Sequence, residues 1–181
     1  IKVRGNNTTI TGQTTAVGTI SVNGKAHDIA LQQSNAEAIP MPVYPYEHYV
    51  ANATYTYTGS KTFGKGETVP AGIHVVNGSV TVQGDIDGKV TIVATGGISV
   101  KSQTVNLTYA DEKYKVALYS RDGNISFTSN GVTVKGVIYA PKGECKVASS
   151  TSRFTGAIVG NTVDISGQDM TLNPLDYGTG N

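Results

Sequence analysis

Asp85 and Asp87, in the phrase Gly84-Asp-Ile-Asp-Gly88, come nearest to a catalytic pair in this chain. An extended backbone turns residues two apart to the same side, so the two carboxylates share a face. Glycoside cleavage uses such a pair at a set separation, one group as acid and the other as base or nucleophile. Between two glycines the plainer reading is a solvated corner. Asp122 and Asp164 lie about two coils apart, and a turn or surface position accounts for each. Other chemistries find less support. His27, His48 and His74 sit in separate contexts without metal-ligand spacing. No Gly-x-Ser-x-Gly elbow marks a serine nucleophile, and no acidic loop has calcium spacing. Cys145 alternates with Val147 and has no histidine close in sequence, so it reads as a small buried hydrophobe. The expectation is a chain with no catalytic residues, no metal and no cofactor.

The candidate binding residues are aromatic. Tyr44, Tyr46, Tyr49, Tyr55 and Tyr57 fall within 14 residues, half of the 10 tyrosines in the chain. A flat ring with a polar tip suits sugar stacking or a protein contact. The same rings would also pack an irregular segment onto a neighbouring surface. Alternating threonines (Thr54, Thr56, Thr58) raise ice binding. The outward positions Thr81, Ser99, Ser126, Lys146 and Asp164 do not form the lattice that an ice face needs.

The elements that must carry these residues repeat. Gly18-Thr-Ile-Ser-Val-Asn-Gly24, Gly78-Ser-Val-Thr-Val-Gln-Gly84, Gly97-Ile-Ser-Val100 and Gly131-Val-Thr-Val-Lys-Gly136 are alternating runs with glycine at the corners. Each run is too short to bury its apolar face alone, whereas stacked copies bury it together. One inward column is read as Val80/Val82, Ile98/Val100, Leu118, Ile138 and Ile158. A second is read as Ile73/Val75, Val90/Ile92, Leu107, Ile125/Phe127, Cys145/Val147 and Val163/Ile165. A third holds Val132/Val134, Phe154 and Met170/Leu172. The fold predicted is all-β: one right-handed parallel β-helix over residues 1–181, consecutive coils lying atop one another. Asn-Gly and Asp-Gly pairs keep a hairpin sandwich as the competitor. Residues 25–58, with three of the six prolines, break the pattern and are expected to form a cap or side-packed flap. Residues 109–115 read as a charged insertion, and 174–181 as a frayed tail.

A net charge of +1 argues against nucleic-acid binding. No run of about twenty apolar residues spans a membrane. Opening at Ile1, the chain reads as a trimmed ectodomain whose N-terminal anchor is missing, its one route to a membrane.

Three further phrases carry a family resemblance. Gly136-Val-Ile-Tyr-Ala-Pro-Lys-Gly143, Phe154-Thr-Gly-Ala-Ile-Val-Gly160 and Val163-Asp-Ile-Ser-Gly167 resemble the β-helix ectodomains of pilin-like, membrane-anchored bacterial surface proteins linked to type IV pilus assembly. Gly5-Asn-Asn-Thr-Thr-Ile-Thr-Gly12 and Ile39-Pro-Met-Pro42 are similar to such domains as well. The resemblance implies an extracellular, non-catalytic, structural or adhesive module on the cell surface. Its partners would be other pilus or surface subunits, and glycans for the adhesive version. A carbohydrate-active or sugar-binding β-helix is the alternative.

Overall fold

The computed structural model describes residues 1–30, 32–37, 40–102 and 104–175. They form a parallel β-solenoid of about eight turns. Every strand pairing among the described residues is parallel, which excludes a hairpin sandwich. The predicted tail falls mostly on residues 176–181, outside the described part, but Leu175 is buried.

Each turn has three faces. The inward row of the first face is Tyr55, His74, Ile92, Leu118, Ile138 and Ile158. The second face carries Lys61, Val80, Ile98, Ile125, Cys145 and Val163, beside a row running from Phe63 through Val82, Val100, Phe127 and Val147 to Ile165. The third stacks Leu107, Val134 and Phe154, with Leu172, Ile10 and Ile29 further along. Burial of these aliphatic rows is the main stabilising term. The two longer columns expected from sequence therefore merge faces. Val80 and Ile98 continue into Ile125, whereas Leu118 belongs with Ile92. The insertion at 109–115 adds residues to one turn and breaks the even spacing that the columns assumed.

Turns do not stack in chain order. The stack begins at Tyr55–Tyr57 and winds through to Arg153–Asn173. Lys2–Ile10 then lies on that last strand, pairing Lys2 with Asp164 and Thr9 with Thr171. Ser21–Lys25 and Asp28–Ile29 stack in turn on Lys2–Ile10. The irregular excursion is thus narrower than 25–58, because Ser21–Lys25, Asp28–Ile29 and Gln32–Gln33 still contribute rungs. Residues 40–54 form an external strap that leads to Tyr55 at the far end of the stack.

Candidate functional site

The strap lies on the outer side of the first face. Strands there are buried along their whole length, as in Val90-Thr-Ile-Val-Ala94 and Val116-Ala-Leu-Tyr-Ser120, because both sides of the sheet are covered. Inward residues join the solenoid core. Outward residues (Ile73, Val75, Val93, Tyr119, Val137 and Tyr139) make a second apolar cluster around Tyr49. Tyr49 sits on the one-and-a-half-turn helix Tyr46–Ala51, which follows Pro45. A helix this short is marginal alone and is held by packing.

Three of the five candidate tyrosines meet in this clamp. Tyr44 packs edge-on to Tyr139 at 4.7 Å and to Tyr114 at 6.0 Å. Tyr46 meets Tyr119 at 6.4 Å, with the Arg121 guanidinium 4.9 Å from its ring centre. Tyr49 is fully buried between Tyr114 and Tyr119. Burial pushes its phenol far above the ordinary range, with the Asp111 carboxylate adding to the rise. The Tyr139 hydroxyl donates to the Pro42 carbonyl at 2.5 Å. That bond joins the two proline-containing phrases of the resemblance across 97 residues.

A polar lock seals the same clamp. The buried Asp111 carboxylate meets His48 Nε2 at 3.0 Å and accepts from the Tyr114 amide at 3.1 Å. Thr91 donates to the Val116 carbonyl at 2.7 Å and accepts from the Ala110 amide at 2.9 Å. The 109–115 insertion is thereby fixed beneath the strap. Sequence spacing could not find the His48–Asp111 pair, because its members lie 63 residues apart.

Tyr55 and Tyr57 lie elsewhere, on the first rung. Tyr55 stacks on His74 at 4.6 Å, and Tyr57 and Phe63 complete an aromatic plug over the end of the core. Lys61 places its ammonium 4.9 Å from the Phe63 ring centre, a cation–π cover for that end. His74 is fully buried. Its Nε2–H donates to the Pro70 carbonyl at 2.8 Å, which leaves Nδ1 to accept from the Tyr57 hydroxyl at 3.3 Å.

Burial lowers the His74 pKa from its ordinary 6.5, and the Lys61 charge adds to the fall. The folded state keeps His74 neutral while the unfolded chain takes up a proton near 6.5. Its contribution is therefore complete above that pH and is lost on acidification. Thermal melts from pH 7.5 to 5 should show stability falling by up to about 1.4 kcal/mol per pH unit from this group. His74→Phe should flatten that slope, whatever its effect on the midpoint itself. An unchanged slope would assign the acid sensitivity to other groups.

The carboxylates first singled out remain apart from the clamp. Asp87 is exposed and accepts from Asn106 Nδ2 at 2.9 Å. Asp85 is exposed beside the Thr68 bridge. Asp122 bridges Arg121 and Lys142, which hold its carboxyl below the usual range. Asp164 is buried against Arg4, tying the last long strand to the N-terminal turn. Cys145 is buried with its Sγ 3.3 Å from the Val159 carbonyl, and burial pushes its thiol up to about 12. Such a thiol is protonated and inert near neutrality. The described residues contain no group of three or more potential metal ligands. None of the described helices is long and apolar enough to cross a membrane.

No curated protein and no solved structure matches the chain. Residues 49–175 match a family described as a domain of unknown function, DUF7305. The matched span runs from the buried tyrosine of the strap helix to Leu175, leaving the N-terminal turns outside it. Since it covers well over half of the 181 residues, the chain belongs to the DUF7305 family.

Proposed function

We propose that the chain is a non-catalytic structural module, displayed outside a bacterial cell as a stiff spacer of a pilus or pilus-like assembly. The observation that carries this reading is mechanical. One apolar core runs through the stacked turns, and an external strap clamps the outer side of the first face. Eight rungs at about 4.8 Å give a body roughly 38 Å long. Lengthening it along its axis requires breaking backbone ladders and lifting the tyrosine clamp. Support for the pilus setting comes from the Ile39-Pro-Met-Pro42 and Ile-Tyr-Ala-Pro phrases. Other surface subunits are the partners this reading assigns, and antibody to the Lys25 end should label intact cells that express the protein.

Axial pulling between Gly66 and Lys25, both exposed and at opposite ends of the stack, tests the spacer role. The expected trace is an initial high-force event as the strap detaches. Only the chain between the two grips can be drawn out, so the release that follows should total no more than about 140 Å. Smooth lengthening at low force would remove the spacer reading. The sugar-binding alternative draws on tyrosines that, in the clamp, already face one another. It predicts glycan-array signals that Tyr46→Ala abolishes, and the spacer reading predicts none for either protein.

A further inference from the structure

Among the described residues the stack lacks one rung. Where the turn ending at Asn173 meets the turn beginning at Ile1, two faces are closed. Lys2 and Val3 pair with Asp164 and Ile165 on the second face, and Thr9 and Ile10 with Thr171 and Leu172 on the third. The first face is open. Residues 157–160 pair with 137–140 on one side and, among the described residues, with no strand on the other. The nearest first-face strand beyond them, Thr14–Thr15, pairs away from the seam with Gln32–Gln33. Two adjoining cavities of about 370 and 570 Å³ lie between, sharing walls formed by Ile1, Thr15, Ile158, Val159 and Val163.

The face order leaves the missing first-face strand to the stretch ahead of Ile1 or to the stretch after Asn173, of which Pro174 and Leu175 line the smaller cavity. In chain order the faces recur as first, second, third. Lys2–Ile10 supplies the second and third faces of its turn. Thr14–Thr15 then opens the following turn, as its pairing with Gln32–Gln33 confirms. The turn containing Ile1 therefore has no first-face strand of its own among the described residues.

Ile1 also occupies a mid-ladder position. Its nitrogen donates to the Thr19 carbonyl at 3.0 Å. The same bond is made by peptide nitrogens one to three turns into the stack: Lys61 to Ser79 at 2.9 Å, Val80 to Gly97 at 2.8 Å and Ile98 to Asn124 at 2.8 Å. At Val80 and Ile98, the residues just ahead form the first-face rung (Gly72–Val76, and 90–94 at the end of Ile86–Ala94).

We propose that backbone immediately upstream of Ile1 fills this slot as a parallel rung of six residues. The register follows from Lys2 pairing with Asp164, which puts Ile1 in the row of Val163. The six residues then stack on 157–162. The fifth residue ahead of Ile1 enters the core over Ile158, and the fourth and sixth face the strap near Pro40 and Pro42. Among the described residues both walls of the slot are strand edges with no ladder partner on the side facing it, and the walls the two cavities share are mainly aliphatic. An apolar residue at the fifth position and a parallel extended backbone satisfy both.

The test extends the 181-residue chain at its N-terminus with a copy of residues 157–162. A glycine/serine hexapeptide and the same copy displaced by one residue serve as controls. One residue of displacement turns the apolar side chain away from the core. The matched copy should raise the melting midpoint by roughly 5 °C or more over the glycine/serine control. It should also slow amide exchange at 157–160 at least about tenfold. The displaced copy should do neither. Equal midpoints for matched and glycine/serine extensions would overturn the proposal. So would a loss of midpoint on deleting residues 176–181 from the unextended chain, which would give the slot to those residues. A dimer that survives the matched extension would give it to a second molecule, with the same consequence.

Discussion

Gly5→Ala is expected to destabilise the protein by about 3–5 kcal/mol, read as a lower urea midpoint. Gly5 has φ +109°, a conformation that residues with a Cβ rarely adopt. Space is the larger obstacle. A Cβ at Gly5 would lie 1.8 Å from the Gly167 carbonyl oxygen, and one at Gly24 would lie 1.7 Å from that of Gly5. Three glycines therefore stack at one corner, each admitting the backbone of the next turn. Gly5 joins the N-terminal turns to the strand that ends the stack, so its substitution pushes apart the Lys2–Ile10 and Arg153–Asn173 ladder. Backbone strain and overpacking act together here, and neither can relax without breaking the ladder. Gly18→Ala is the control. Gly18 is exposed and a Cβ there meets nothing within 4 Å, so the change should stay within about 0.5 kcal/mol. A Gly5→Ala loss below about 1 kcal/mol would refute the close stacking of these corners.

That corner shows what the sequence discloses and what it does not. Gly78-Ser-Val-Thr-Val-Gln-Gly84 announces a short rung with one apolar side, and Val80 and Val82 are both buried. The outward row read from alternation, Thr81, Ser99, Ser126, Lys146 and Asp164, is a true ladder of the second face. The order of the rungs was not legible. Parallel rungs with aliphatic interiors present nearly interchangeable upper and lower edges, so Lys2–Ile10 can stack on Arg153–Asn173 as readily as on its chain neighbour. Only coordinates reveal that the first residues of the chain extend the last ones.

The candidate site was half legible. The tyrosine cluster at 44–57 stood out by composition, but its division did not. Tyr44, Tyr46 and Tyr49 hold the strap, while Tyr55 and Tyr57 plug an end, because the first rung starts at Tyr55. A usable signal lay elsewhere, in the unbroken apolar runs at 92–94, 116–119 and 137–140. Alternation marks a sheet with one side in water, and its loss marks a sheet covered on both. Those runs point to something lying over the first face, and the proline-rich segment 40–45 was the free length of chain able to do so. The His48–Asp111 pair left no local trace, since it depends on the insertion and the strap being brought together.

Tyr49→Phe should cost no stability, whereas Tyr49→Ala should cost a great deal. Tyr49 is fully buried, and its hydroxyl has no hydrogen-bond partner among the described residues. A buried hydroxyl left unpaired costs about 1–3 kcal/mol of desolvation. Removing the oxygen while keeping the ring should therefore leave stability unchanged or raise it by about 1 kcal/mol. Removing the ring is a different event. Tyr49→Ala takes away the contacts with Tyr114 and Tyr119 and leaves a cavity under a helix too short to hold itself, at about 3–5 kcal/mol. The solenoid core does not depend on that ring, since the inward rows lie on the other side of the first face. Limited proteolysis should accordingly cut within residues 40–54 of Tyr49→Ala well before the rungs at 72–172. If Tyr49→Phe instead loses more than about 1 kcal/mol, the hydroxyl has a partner in solution and the clamp is polar at its centre. If Tyr49→Ala melts in one step with strap and rungs equally protease-sensitive, the strap is an integral part of the fold. In that case the strap cannot detach ahead of the turns, and the pulling trace between Gly66 and Lys25 should begin with the turns themselves.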